Sequence, residues 1–94
     1  MAGGNASVER TAVQSGIQIC KTAIHELQTA ARRLSSGYQQ AGSGGWRDQK
    51  YAQLGGIVEE CTSALTQPIA ELEGCQQSLE RLLQLVSGYE EVNF

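Results

Sequence analysis

Histidine, thiol and carboxylate are the side chains with which a chain this short would run chemistry, and it holds one His, three Cys and ten Asp or Glu. His25 stands five residues after Cys20, a step that puts the two on different faces of a helix and breaks up a nucleophile–base pair. No second His, Cys or acid lies at metal-ligand spacing from it, so it reads as a solvated imidazole. The cysteines contain no Cys-X-X-Cys pair, which argues against zinc. Cys61 and Cys75 are separated by about 21 Å along one helix and cannot bridge each other. They read, with Cys20, as small buried hydrophobes of a reducing compartment, although an odd thiol leaves an oxidative link between two subunits open. The acid pairs Glu59/Glu60 and Glu71/Glu73 read as solvated faces. Gly42-Ser43-Gly44-Gly45 has the glycines of a phosphate cradle but not the Gly-Lys-Ser/Thr that must follow. No catalytic, cofactor-binding or metal-binding residue is assigned, and the expectation is a protein that is not an enzyme.

The elements that position these residues are legible as periodicity. Stepping from Val13 alternately by four and three gives Val13, Ile17, Cys20, Ile24, Leu27, Ala31, Leu34 and Tyr38, all apolar. At this composition chance would fill about three of the eight, so the run marks the seam of a helix packed beside another. In the second half Tyr51, Leu54, Val58, Cys61, Leu65, Pro68, Leu72, Cys75, Leu79, Leu82, Val86 and Tyr89 repeat the pattern. Ile57, Ile69, Leu83 and Leu85 widen that stripe beyond what one neighbouring helix covers. The reading is an all-α, antiparallel helical hairpin in one domain, residues 1–94. Helix one spans about 6–40, the turn about 41–45, helix two about 46–89 with a kink near Pro68, and a short tail 90–94. Asn5 or Ser7 is expected to cap the first helix, and Ser43 or a neighbouring glycine the second, with Asp48 in its first turn.

Composition narrows the class further. With 40% apolar and 18% charged residues the chain is neither disordered nor membrane-spanning in character. The first residues lack the basic and apolar regions of a cleaved signal peptide. Residues 1–45 carry four basic against two acidic side chains, and residues 46–94 carry three against eight, giving net charges of +2 and −5. Opposite signs favour pairing one arm with the other, within a chain or between chains. The basic residues are too few for a nucleic-acid surface. A thin hairpin has little concave space for a substrate, and its widened stripe needs a partner; pairing two hairpins into a four-helix bundle dimer would cover it. Trp46, at the exit of the turn, reads either as a cap over the packed ends of the helices or as an anchor for a partner.

A helix, a Gly-rich turn running into Trp46-Arg47-Asp48 and a second helix ending near Tyr89 resemble the WXG family of small, ESAT-like type VII (ESX) secretion proteins, over nearly the whole chain. Position 48 carries Asp where the family's Trp-X-Gly has glycine, a variation that occurs among Gram-positive relatives. The resemblance implies an antiparallel homodimer or heterodimer with a similar hairpin, cytoplasmic until it is exported folded by a secretion ATPase without a cleaved signal peptide. It further implies that Trp46 and Asp48 of one subunit meet Tyr89 and Asn93 of the other in a secretion signal; the dimer and core seam expected from the apolar periodicity includes Ile17, Ile24, Leu27, Leu34, Leu54, Val58, Leu65, Leu72, Leu79, Leu82 and Val86. The family's C-terminal motif is Tyr-X-X-X-Asp/Glu, whereas Tyr89 is followed at the fourth place by the amide Asn93. Two roles follow: secretion substrate or secretion partner, or a cytoplasmic chaperone or targeting adaptor for a larger toxin or effector.

Overall fold

Proline is absent from the first 67 residues, so nothing removes a backbone donor from the first helix. A computed structural model describes residues 2–92, and the surroundings of side chains for 7–88. Helix α1 runs Ala2–Ser43, α2 Gln49–Ala64 and α3 Thr66–Val92, and there is no strand among the described residues. The fold is a helical hairpin: α1 is one arm, and α2 with α3 forms the other as a bent helix. α1 starts earlier and ends later than the 6–40 read from the sequence, passing through both Asn5 and Ser7, so neither serves as its cap.

The chain stops being helical where its glycines permit it. Gly45 has a φ of +102°, a conformation that side chains resist. Around it Trp46 N–H donates to the Ala41 carbonyl at 3.2 Å and Gly45 N–H to the Gly42 carbonyl at 3.1 Å. This pair of reversed bonds, with glycine just past the end, is the Schellman ending. α2 starts at Gln49 rather than 46, and its N-cap is Asp48, not Ser43 or a glycine: the Asp48 carboxylate accepts the Tyr51 N–H at 3.0 Å. The bend lies at Leu65, which keeps near-helical angles (φ −80°, ψ −15°) while its N–H turns back to the Thr62 carbonyl at 3.2 Å. Three residues on, Pro68 offers no N–H to the Ala64 carbonyl, which accounts for the break.

The chain divides into two compact units, Met1–Ile24 with Glu71–Phe94, and His25–Ala70. In the first, Val13, Ile17, Cys20 and Ile24 are the buried apolar residues of α1. On α3 the half-buried positions include Leu72, Gln76, Leu79, Leu83 and Val86. Gly16 leaves the room that Leu79 fills: a Cβ at Gly16 would lie 3.2 Å from Leu79 Cδ1. Full burial of an aliphatic side chain contributes roughly 1.5–3 kcal/mol; Val13, Ile17 and Ile24, at 8–9% exposure, approach it, and the half-buried residues of α3 contribute less.

In the second unit Val58 is buried, and Leu27, Ala31, Ser35, Tyr38, Tyr51, Leu54, Gly55, Thr62, Leu65 and Ile69 are half-buried. Both units show the same shift relative to the seam read from the sequence. Val58, Leu65, Leu72, Leu79 and Val86 keep their inward places. Their alternates are Thr62, Ile69, Gln76 and Leu83, while Cys61, Pro68, Cys75 and Leu82 are exposed. Adjacent residues on a helix point about 100° apart, so one neighbouring helix covers only one of each pair. Leu34 is likewise exposed, with the next residue, Ser35, half-buried instead. Two of the three cysteines are therefore at the surface and only Cys20 is buried, which corrects the reading of all three as buried hydrophobes.

Candidate partner-binding site

The residues beside the turn build an aromatic cluster inside the unit His25–Ala70. Tyr38 lies on the last turns of α1 and Tyr51 on the first turn of α2. Their rings stack with centroids 4.4 Å apart and planes inclined by 7°. The Tyr51 hydroxyl donates to the Tyr38 backbone carbonyl at 3.1 Å. Each ring needs a glycine opposite it. A Cβ on Gly55 would come within 2.6 Å of the Tyr38 hydroxyl, and a Cβ on Gly42 would collide with the hydroxyl of Tyr51. Gly42 is accordingly buried. The arrangement is reciprocal, because Tyr38 precedes Gly42 by four residues and Tyr51 precedes Gly55 by four, so each helix supplies a ring and a slot on one face.

This clasp also fixes the inward face of α2. Once Tyr51 and Gly55 face α1, the heptad repeat of Gly55 leads to Thr62 and Ile69, not to Cys61 and Pro68. Partial burial, the hydrogen bond with Tyr38 and the charge on Tyr38, in that order, raise the pKa of the Tyr51 phenol above its usual 10.0, against a lowering by Arg47. The neutral phenol is thus the form that the clasp prefers.

Trp46 leans on the outside of this cluster, its ring centroid 5.7 Å from that of Tyr51 at a tilt of 56°. Its indole N–H donates to Asp48 Oδ1 at 2.7 Å, and the side chain remains 41% exposed. One edge is packed and bonded; the rest is presented to solvent. Of the four residues expected in a secretion signal, Trp46 and Asp48 are brought into direct contact. Tyr89 is within α3, but its side chain is outside the described surroundings, and Asn93 is outside the described residues altogether.

Sequence reasoning missed the clasp, although the repeated Tyr-X-X-X-Gly at 38–42 and 51–55 carried its signal. It counted the tyrosines as seam residues and the glycines as turn formers or not at all. Beyond the turn, large apolar side chains are exposed in both units: Val8, Ile19, Leu82 and Leu85 in one, Leu34 and Ile57 in the other. Among the described residues no group of three His, Cys, Asp or Glu could hold a metal ion, and no helix is long and apolar enough to cross a membrane. Comparison with protein-family models, curated proteins and solved structures finds no match to this chain.

Proposed function

We propose that the chain is a small non-enzymatic secretion substrate or secretion partner of the type VII (ESX) kind, acting through helical dimerisation with a second hairpin of its own sort. The observation that carries this reading is the surface the chain leaves open. Large apolar side chains stay exposed in both units. Ile57, Leu82 and Leu85 are 56%, 44% and 71% exposed, and a partner would cover them. Pairing into a four-helix bundle dimer is the arrangement that covers them with helices like those already present.

The secretion part of the proposal draws on the resemblance to WXG proteins and on the exposed Trp46 beside the turn. Trp is the residue type most enriched where binding energy concentrates. Asn93, an amide where the family's motif has an acid, favours the partner role over autonomous export. The adaptor for a larger toxin or effector is thus the second reading.

One set of variants in the native host tests both layers. Sedimentation of the purified chain at tens of micromolar should give a dimer. Trp46→Ala and Tyr89→Ala should keep helicity and dimerisation and abolish export, and Asn93→Asp should strengthen export of the chain alone. A stable monomer would point to an obligate heterodimer. If Trp46→Ala unfolds the dimer while Tyr89→Ala leaves export untouched, these residues are structural and the cytoplasmic adaptor takes over.

A further inference from the structure

We infer that Asp48 is a positioning residue for Trp46: one carboxylate oxygen starts α2 and at the same time fixes which part of the indole a partner meets. Asp48 Oδ1 accepts the Tyr51 backbone N–H at 3.0 Å and the Trp46 Nε1–H at 2.7 Å. The first bond satisfies one of the donors left open at the beginning of a helix. The second spends the only polar group of the indole. Because the two bonds share an atom, the ring's orientation is tied to the first turn of α2, and through Tyr51 to the stack on Tyr38. Gly45 and the Schellman ending fix the approach of the chain from the other side. With its N–H occupied and its side chain 41% exposed, Trp46 presents its apolar face. The partner surface that it fits is apolar, and a hydrogen-bond acceptor aimed at the indole would compete with Asp48.

This deepens the proposed function and rests on it, since it takes Trp46 to be the residue the secretion partner contacts. Capping and positioning separate in one substitution. Serine is as good an N-cap as aspartate, but its hydroxyl, one bond closer to the backbone, does not reach the indole. Asp48→Ser should therefore preserve helicity and melting. The indole N–H, a single resonance because Trp46 is the sole tryptophan, should exchange with solvent at least tenfold faster. Export from the native host should fall at least fivefold. Asp48→Asn keeps a carbonyl oxygen at the same place and should restore protection and export to within twofold. Trp46→Phe, which keeps an apolar ring and loses the N–H, should retain most of the export that Trp46→Ala loses. Two results overturn the inference: an indole N–H equally protected in Asp48→Ser, or a freed indole with undiminished export while Trp46→Ala still abolishes it. If Trp46→Ala and Asp48→Ser both export normally although the indole is freed, the secretion reading of Trp46 itself fails, a different result from either.

Discussion

At the scale of single residues, the two glycines that face tyrosines should behave oppositely to those that face nothing. Gly56 and Gly74 have open space where a Cβ would be built. Alanine there should raise stability by about 0.5–1 kcal/mol through helix propensity and a less flexible unfolded chain. At Gly55 the same change meets the Tyr38 ring, which cannot swing away without leaving its stack on Tyr51. Gly55→Ala should lower stability by about 1–3 kcal/mol despite the propensity gain, as thermal or urea unfolding would register. Tyr51 adds a pH signature. Its folded pKa is raised above 10.0, so the neutral form is favoured in the fold. Its contribution is fully present below the unfolded value of about 10 and fades as pH rises through the folded one. Melting temperatures should fall above pH 10 in the parent chain, and less steeply in Tyr51→Phe. Equal alkaline slopes would mean that the clasp does not hold the phenol neutral.

At the scale of elements, the hairpin and its bend were legible because they are written in apolar spacing, turn glycines and one proline. Which face of the second arm turns inward was not. Two interleaved series fit the three–four step: Val58, Cys61, Leu65, Pro68, Leu72, Cys75, Leu79, Leu82, and Val58, Thr62, Leu65, Ile69, Leu72, Gln76, Leu79, Leu83. Side-chain polarity favours the first. Packing takes the second, since in the second unit Tyr51 and Gly55 set the phase at the turn, and polarity has no knowledge of a ring-and-slot contact. The same blindness put the second helix's cap at Ser43 or a neighbouring glycine when Asp48 provides it, two residues beyond Trp46. The two series make different claims about neighbours. Leu83→Ala, at a half-buried site, should destabilise the hairpin by about 1–3 kcal/mol, under the range for a fully buried leucine. Leu82→Ala, at a 44% exposed site, should change the isolated hairpin by less than about 0.5 kcal/mol. Unfolding of both variants under dilute, monomeric conditions decides between the two faces, and a larger loss from Leu82 would restore the phase read from polarity.

At the scale of the whole molecule, a chain that leaves large apolar side chains open in both units should owe part of its stability to what covers them. A partner that binds only the folded state adds RT ln(1 + [L]/Kd), so a self-associating hairpin melts at a temperature that depends on its own concentration. Raising the chain from one to one hundred micromolar should therefore raise Tm, whereas a monomer's Tm would stay fixed. The residues responsible should be those the single chain leaves uncovered. Leu85 is 71% exposed and Ile57 56%, so neither adds much to the packing of its own unit. Leu85→Ser and Ile57→Ser should leave the low-concentration Tm within about four degrees of the parent, since substitutions at such sites cost under about 0.5 kcal/mol. They should abolish the rise with concentration and shift sedimentation towards the monomer. Ile24→Ala, which opens one of the few buried sites, should do the reverse: it lowers Tm at every concentration while the slope persists, as long as the hairpin still folds. If the serine variants melt and sediment like the parent, these exposed side chains do not carry self-association. A concentration-independent Tm in the parent chain would leave a different hairpin as the partner.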